Sequence, residues 1–259
     1  MEKAYNEEIT MNIKIKLITV IGAVAVTCLS LFASEPSGLS IMQKNDALRE
    51  PETTVSESVM VILKGKTQEK KEFRMAMKKY GDKTRSRSTF TSPTRIEFLN
   101  WSEPGKDSLQ WIKLSGGTIR KIASSEKGGA FVGSHFYYED IGFRDISDYS
   151  YTYKGEKQEA GENCYLVKAV KKVGTKVYEK SLIYVRKSDY FIVRIDLFEK
   201  KGHTKTFRTE KIETINGILT ARKIVMERTD GKGKSLIYIK KIAYNTRVSD
   251  KFLTREGLD

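Results

Sequence analysis

The sequence predicts a mainly β protein, organised as one long up-and-down antiparallel sheet. From Thr53 onward, apolar residues alternate with polar ones, which is the period-2 pattern of strands buried on one face. Turn residues separate these segments at short intervals, and Asn216-Gly217 and Asp230-Gly231 are strong hairpin signals. Helical periodicity is clearest at residues 39–49, which we predict to form an amphipathic helix ended by Pro51.

Strand patterns occupy residues 53–122 and resume at residue 149, continuing to residue 244. The tail is predicted to end in a short helical turn at residues 249–253. Together these segments amount to about twelve strands, and a sheet of that length has to curl. A small closed barrel would be packed by its own side chains, whereas an incomplete barrel capped by short segments would leave an apolar cavity. The strand pattern by itself leaves both arrangements open.

An irregular aromatic stretch at residues 128–145, GGAFVGSHFYYEDIGFRD, separates the two groups of strands. It neither alternates as a strand does nor carries a helical stripe, yet it is too apolar to lie in water. We interpret it as a lid or plug packed over the curled sheet. In this interpretation Glu139 and Asp140 remain solvated as an ordinary loop charge pair, while five apolar side chains point into the cavity: Phe131, Phe136, Tyr138, Ile141 and Phe143.

The N-terminal 33 residues are predicted to be an export signal, with Met11 as an alternative start. Lys14 and Lys16 form a basic region, and an apolar run with small residues follows it. Cleavage after Ala33 would leave residues 34–259 as a single exported domain. A lipid anchor at Cys28 is the less favoured alternative, because the residue before this cysteine is Thr rather than Gly, Ala or Ser.

The composition favours a binding protein over an enzyme. The only two histidines, His135 and His203, have no neighbours at metal-ligand spacing, and no nucleophile elbow or phosphate-binding loop occurs in the sequence. We therefore predict no catalytic residues, no metal site and no cofactor. Cys164 lies in a strand pattern and is predicted to be a small buried hydrophobe.

The net charge of +14 raises the question of a polyanionic partner. Nucleic acid is disfavoured, because the chain carries an export signal and because its basic residues are spread along the whole sequence. The basic strand faces could instead meet anionic head groups or a membrane surface, or they could simply keep the sheet soluble.

The central segment resembles the LolA-like outer membrane lipoprotein-sorting protein family of diderm bacteria. The resemblance is carried by WIKL at residues 111–114, RKI at residues 120–122 and SSEKGGAFVGSHFYYEDIGFRDISDYSYTY at residues 124–153, and strand segments of the second half fit the same family. It implies a half-open antiparallel barrel of about eleven or twelve strands with a few short helices on the concave face. It also implies a periplasmic carrier of lipid or of the acyl chains of lipoproteins, with an inner-membrane transporter and an outer-membrane acceptor as partners.

The ligand is expected to contact an apolar cavity and its lid, since burying an acyl chain contributes ~0.8 kcal/mol per methylene. The alternative function is an envelope sensory or binding module of the same half-barrel fold, which would act through a protein partner. The residues predicted to line the cavity and lid are Met75, Met77, Phe98, Trp111, Phe131, Phe136, Tyr138, Ile141, Phe143, Tyr184 and Leu197.

Overall fold

The alternating segments form a single sheet of thirteen antiparallel strands. The computed structural model describes residues 35–174 and 176–258, so the predicted signal segment and Cys28 lie outside the described residues. The strands are β1 (Thr53–Lys64), β2 (Thr67–Tyr80), β3 (Lys83–Ser92), β4 (Ile96–Ser102), β5 (Leu109–Lys113), β6 (Ile119–Lys121), β7 (Tyr149–Glu159), β8 (Glu162–Lys171), β9 (Lys180–Arg186), β10 (Ile192–Glu199), β11 (Gly202–Ile215), β12 (Ile218–Arg228) and β13 (Lys234–Tyr244).

The sheet order explains why the barrel is half open. The strands run β6-β5-β4-β3-β2-β1-β13-β12-β11-β10-β9-β8-β7, so β6 and β7 are the two free edges. These edge strands are consecutive in the sequence, and the chain between them, residues 122–148, has to pass from one edge to the other. The predicted fold class is confirmed, with thirteen strands in place of eleven or twelve.

The two faces of the sheet differ in what covers them. We call the face that packs against residues 122–148 the inner face and the opposite one the outer face. The inner face carries most of the core, because alternate residues of each strand point to it. Its large buried side chains from the first half of the sheet are Met60, Ile62, Phe73, Phe90, Phe98 and Ile112.

The helix α1 (Gly38–Asp46) packs against β7 and β8 through Ile41 and Met42. Ser37 caps its start, accepting a hydrogen bond from the Ser40 amide at 3.0 Å. Gly38 is required by close packing, because a Cβ there would lie 2.8 Å from the backbone of Thr152 in β7. The helix ends at Asp46, before the predicted residue 49.

The C-terminal tail forms two 3-10 turns, Lys251–Leu253 and Glu256–Leu258, and the first falls within the predicted helical turn. Both turns cover the outer face. Arg87 Nη1 donates to the carbonyl oxygens of Phe252 at 3.0 Å and Gly257 at 2.7 Å, and Trp101 Nε1 donates to that of Leu253 at 2.9 Å. The short helical segments therefore lie on both faces of the sheet, not only on the concave one.

Candidate functional site

The segment that joins the two edge strands packs onto the inner face and fills part of it. We call residues 122–141 the plug. It contains three 3-10 turns, Ser124–Glu126, Phe131–Gly133 and Tyr138–Ile141, and a fourth turn, Ile146–Asp148, leads from it into β7. Short turns suit this sequence because its glycines interrupt any longer helix, and Gly133 adopts a φ of 77°.

The apolar side chains of the plug complete an aromatic core. Phe131 is 3% exposed, and its ring centroid lies 4.8 Å from that of Phe98 and 5.8 Å from that of Phe90. Tyr138 joins the same cluster, with its centroid 5.9 Å from that of Phe131. These edge-on ring contacts bury large apolar area with favourable geometry. The plug is thus a packed part of the core.

A buried ion pair fixes the plug to the sheet. Lys205 on β11 is 1% exposed, and its Nζ lies 2.9 Å from Asp140 Oδ2 and 3.2 Å from the centroid of the Tyr137 ring. Asp140 also accepts hydrogen bonds from the Tyr178 hydroxyl at 2.8 Å and from the Tyr137 amide at 2.7 Å. Every polar atom of this pair therefore has a counterpart inside the protein, as a buried charge requires.

The expectation that Glu139 and Asp140 stay solvated is wrong. The side chain of Asp140 is 4% exposed and that of Glu139 is 14% exposed. Glu139 Oε1 lies 2.8 Å from Lys171 Nζ on β8, so the two acids bind lysines on different strands. The two adjacent acidic side chains do point in different directions in this turn. Each of them nevertheless contacts a lysine on a strand.

A third contact holds the plug where β13 begins. The Ser235 hydroxyl lies 3.0 Å from the His135 amide, which donates to it, and 2.8 Å from His135 Nδ1. Desolvation, together with nearby Lys64, Arg228 and Lys205, lowers the pKa of His135, so the ring is neutral at pH 7. Gly233 makes this contact feasible, because a Cβ there would lie 2.8 Å from His135 Nε2.

The other part of the inner face is open and forms a cavity of about 760 Å³. It lies under α1 and next to the turn Ile146–Asp148, and strands from both halves of the sheet form its wall. A concave, mainly apolar site of this size is typical of a site that binds a small molecule. Its apolar lining comprises Met42, Leu48, Met77, Phe143, Ile146, Tyr149, Tyr151, Ala169, Ile183, Phe191, Ile192, Ile195, Phe207, Ile218, Leu219, Ile242 and Tyr244.

Charged and polar residues occupy a smaller part of the cavity wall. Both acidic and basic side chains line it, including Asp46, Glu50, Lys79, Lys106, Glu139, Arg144, Asp148 and Lys171. Several are held by the protein itself: Asp148 Oδ1, for example, accepts a hydrogen bond from the Gly105 amide at 2.8 Å. The wall therefore combines an apolar surface with a mixed polar border.

The structure separates the predicted site residues into three groups. Met77 and Phe143 line the cavity, and Phe143 is 45% exposed there. The second group belongs to the packed core or lies against it: Met75, Phe98, Phe131, Phe136, Tyr138, Ile141 and Leu197. Trp111 and Tyr184 form the third group and lie on the outer face.

The outer-face placement of Trp111 and Tyr184 follows from strand register. Phe98 pairs with Ile112 in the inner core, so Trp111, paired with Leu99, points the other way and packs against Trp101 at 4.9 Å between ring centroids. Tyr184 alternates with Ile183 in the same manner, and its hydroxyl lies 3.3 Å from Asp196 Oδ2. The prediction that these two residues line the cavity is wrong, because it assigned their side chains to the opposite face of the sheet.

The prediction from the sequence omitted several residues that line the cavity. Their positions in the alternating pattern of the strands would have placed them on the inner face. Ile183 and Ile195 are directly opposite each other in register, and Ile195 is opposite Phe207. All three therefore share one face across β9, β10 and β11. The sequence also indicated that Lys205 is buried. Lys205 lies two residues from Phe207 in the same strand, so its side chain points to the apolar inner face.

The described parts of the chain also contain a cysteine and potential metal ligands. Cys164 is fully buried, as predicted, and desolvation raises the pKa of its thiol to about 11. Within residues 35–174 and 176–258, no group of His, Cys, Asp and Glu side chains is arranged to hold a metal ion. The same residues include no helix that is long and apolar enough to cross a membrane.

Comparison with known proteins identifies both a family and a fold. A family model described as "Uncharacterized protein" matches residues 82–259. A DUF1329 family protein from Desulfovibrio piger has a solved structure with 25% identity and a TM-score of 0.82, covering 86% of this chain and 98% of that one. A search of curated proteins finds no match.

Two further solved structures share the fold. One is a domain assigned to an outer membrane lipoprotein-sorting protein from Vibrio parahaemolyticus, with 19% identity, a TM-score of 0.81, and coverage of 85% of this chain and 97% of that one. The other is a LolA superfamily protein from Nitrosomonas europaea, with 16% identity, a TM-score of 0.68, and coverage of 86% and 99%. The resemblance to LolA-like proteins expected from the central motif is confirmed.

Proposed function

The chain belongs to the family whose model matches residues 82–259 and has the LolA-like fold, and on this premise we propose that it is a periplasmic carrier of acyl chains. Its cargo is a lipid or the acylated end of a lipoprotein, which it binds in the open part of the inner face and carries toward the outer membrane. The observation that carries the proposal is the apolar cavity of about 760 Å³ beside the packed plug.

The energetics of the cavity favour an acyl ligand. An acyl chain of about fifteen methylenes gains roughly 12 kcal/mol on leaving water, before the costs of ordering are subtracted. Ile183, Ile195 and Phe207 supply a continuous apolar strip across three strands for such a chain. The adjacent aromatic core is already filled by the plug, so the ligand is expected to lie only in the open part.

The predicted export signal supports the periplasmic setting of this proposal. Residues 1–33 would direct the chain across the inner membrane, leaving the half-barrel in the periplasm. An inner-membrane transporter would then load the protein, and an outer-membrane acceptor would receive the cargo. No catalytic step is part of this proposal, because release requires only a difference in affinity between carrier and acceptor.

The experiment is to isolate the exported protein under non-denaturing conditions and to identify bound lipid by native mass spectrometry. The test variant is Ile192→Trp, which fills the cavity, because Ile192 lines it and is partly buried. The matched control is Leu109→Trp, because Leu109 is 41% exposed and lies opposite Trp101 outside the cavity.

We expect lipid on the wild type and on Leu109→Trp, and its loss from a folded Ile192→Trp variant. Lipid-free wild type that also fails to bind added fatty acid would refute the carrier proposal. Recovery of a stable protein partner in place of lipid would instead favour the envelope sensory module.

A further inference from the structure

Arg144 is one of the cations in the cavity wall, which Arg49, Lys79, Lys106 and Lys171 also line. It follows Phe143 in the link between the plug and the turn Ile146–Asp148. Its side chain borders both the main cavity and a small adjoining one lined by Tyr149, Lys171 and Tyr178. The residue as a whole is exposed, and it lines both of these cavities.

The acids near Arg144 are held by other groups. Glu139 lies 2.8 Å from Lys171, and Asp140 lies 2.9 Å from Lys205. Asp145 accepts a hydrogen bond from the Ser147 amide at 2.8 Å. Across residues 35–174 and 176–258, Arg144 itself makes neither a hydrogen bond nor an ion pair.

The guanidinium nevertheless stays charged. Desolvation by the surrounding protein opposes the charge, but the Tyr149, Asp140, Tyr178 and Glu139 side chains together favour it and raise the pKa of Arg144. A charged guanidinium in the cavity wall offers several N–H donors in a planar fork, which matches the two oxygens of a carboxylate or phosphate.

We propose that Arg144 binds the oxyanion of an amphiphile whose acyl chain lies in the cavity. This inference rests on the proposed carrier function and narrows the cargo to a molecule with a carboxylate or phosphate beside its hydrocarbon chain. The oxyanion binds where the cavity meets the plug, and the chain lies along Ile183, Ile195 and Phe207. The ligand is therefore recognised by its charge as well as by its apolar area.

The test compares amphiphiles of equal chain length on delipidated protein. Oleate supplies a carboxylate, oleoyl lysophosphatidic acid a phosphate, and oleyl alcohol no charge, while acetate and inorganic phosphate report the head group alone. Binding is measured by calorimetry for the wild type, Arg144→Gln, Arg144→Lys and a control, Arg74→Gln. Arg74 suits this control because its side chain is 73% exposed and outside the cavity lining.

We expect the wild type and Arg74→Gln to bind at least one anionic amphiphile about tenfold more tightly than oleyl alcohol, which corresponds to ~1.4 kcal/mol. Arg144→Gln removes that preference without changing the affinity for the alcohol, and Arg144→Lys keeps part of it. Whichever of oleate and lysophosphatidic acid binds more tightly identifies the head group. Tight binding of acetate or inorganic phosphate alone would overturn the amphiphile assignment.

Failure of this inference can be distinguished from failure of the carrier proposal. If oleyl alcohol binds in the cavity but Arg144→Gln leaves the anion preference unchanged, the role of Arg144 is refuted and the carrier proposal stands. If none of the three amphiphiles binds to the wild type, both proposals are refuted. Thermal melts of each variant confirm folding, which is expected because Arg144 is exposed.

Discussion

The inner face of this sheet has two parts, one covered by the plug and the other open. The plug covers the part over Phe90 and Phe98, and its aromatic rings pack into the core. Over Ile195 and Phe207 the inner face is left open, and a cavity of about 760 Å³ results. Both parts are apolar, so hydrophobicity alone does not mark a binding site. What distinguishes the open part is that no segment of the described chain fills it.

The largest expected contrast comes from placing one acid in each part. Phe136→Asp puts a carboxylate at a position that is 3% exposed, so we expect this variant not to fold. Phe143→Asp places the same group at a position that is 45% exposed, so we expect it to fold but to lose acyl ligand. Circular dichroism and lipid retention are the measurements. A folded Phe136→Asp variant that merely releases lipid would show that the plug is a movable lid.

The buried ion pair gives the next largest effect. Lys205→Met leaves Asp140 buried without its cation, so we expect the free energy of unfolding to fall by about 3–5 kcal/mol. Lys223→Met on the neighbouring strand removes only a more exposed pair with Glu210, which contributes about 0–1 kcal/mol. Urea unfolding of both variants measures the difference. Equal losses would contradict the view that Lys205 holds the plug to the sheet.

A pair of phenylalanines tests how tightly each part is packed. Phe98→Ala is expected to cost about 3–5 kcal/mol, because it opens a hole in a filled core. Phe207→Ala enlarges an existing cavity and should cost less than about 2 kcal/mol, but it should weaken oleate binding. Urea unfolding and a binding titration supply the two numbers. A costlier Phe207→Ala variant would mean that the cavity wall is packed as tightly as the core.

The last effect is a pH dependence from Lys127 in the plug. Its Nζ donates to the Ser108 carbonyl and hydroxyl oxygens, each at 2.7 Å, and desolvation lowers its pKa to about 8 from 10.5. Between about pH 8 and pH 10 the unfolded chain keeps a proton that the folded chain loses, so this group makes stability rise with pH. The slope is at most ~1.4 kcal/mol per pH unit.

The measurement is urea unfolding at several pH values for the wild type and for Lys127→Met. Subtracting the two curves removes the contribution of tyrosines such as Tyr178, whose raised pKa lowers stability above pH 10 in both proteins. We expect the difference between the curves to change between pH 8 and pH 10 and to be constant below that range. Parallel curves throughout would show that Lys127 titrates normally in the folded state.

The sequence predicted the sheet well, because strand period and turn residues are local properties of the chain. It could not show that Asp140 meets Lys205, since these residues are 65 positions apart and come together only through the sheet order. Trp111 and Tyr184 were assigned to the wrong face, because in a strand a shift of one residue reverses the direction of the side chain. The aromatic motif was recognised, but its role as packed core rather than cavity wall depends on tertiary contacts.

The central claim is that an acyl chain binds the open part of the inner face and leaves the plug region undisturbed. Isoleucine methyl groups report both parts with one residue type: Ile183, Ile195 and Ile242 line the cavity, while Ile62, Ile112 and Ile122 belong to the packed core and do not line the cavity. The measurement is a methyl NMR experiment that detects nuclear Overhauser effects from bound oleate. We predict contacts from the chain to the first set alone. Contacts to the second set, or to neither set, would contradict this account.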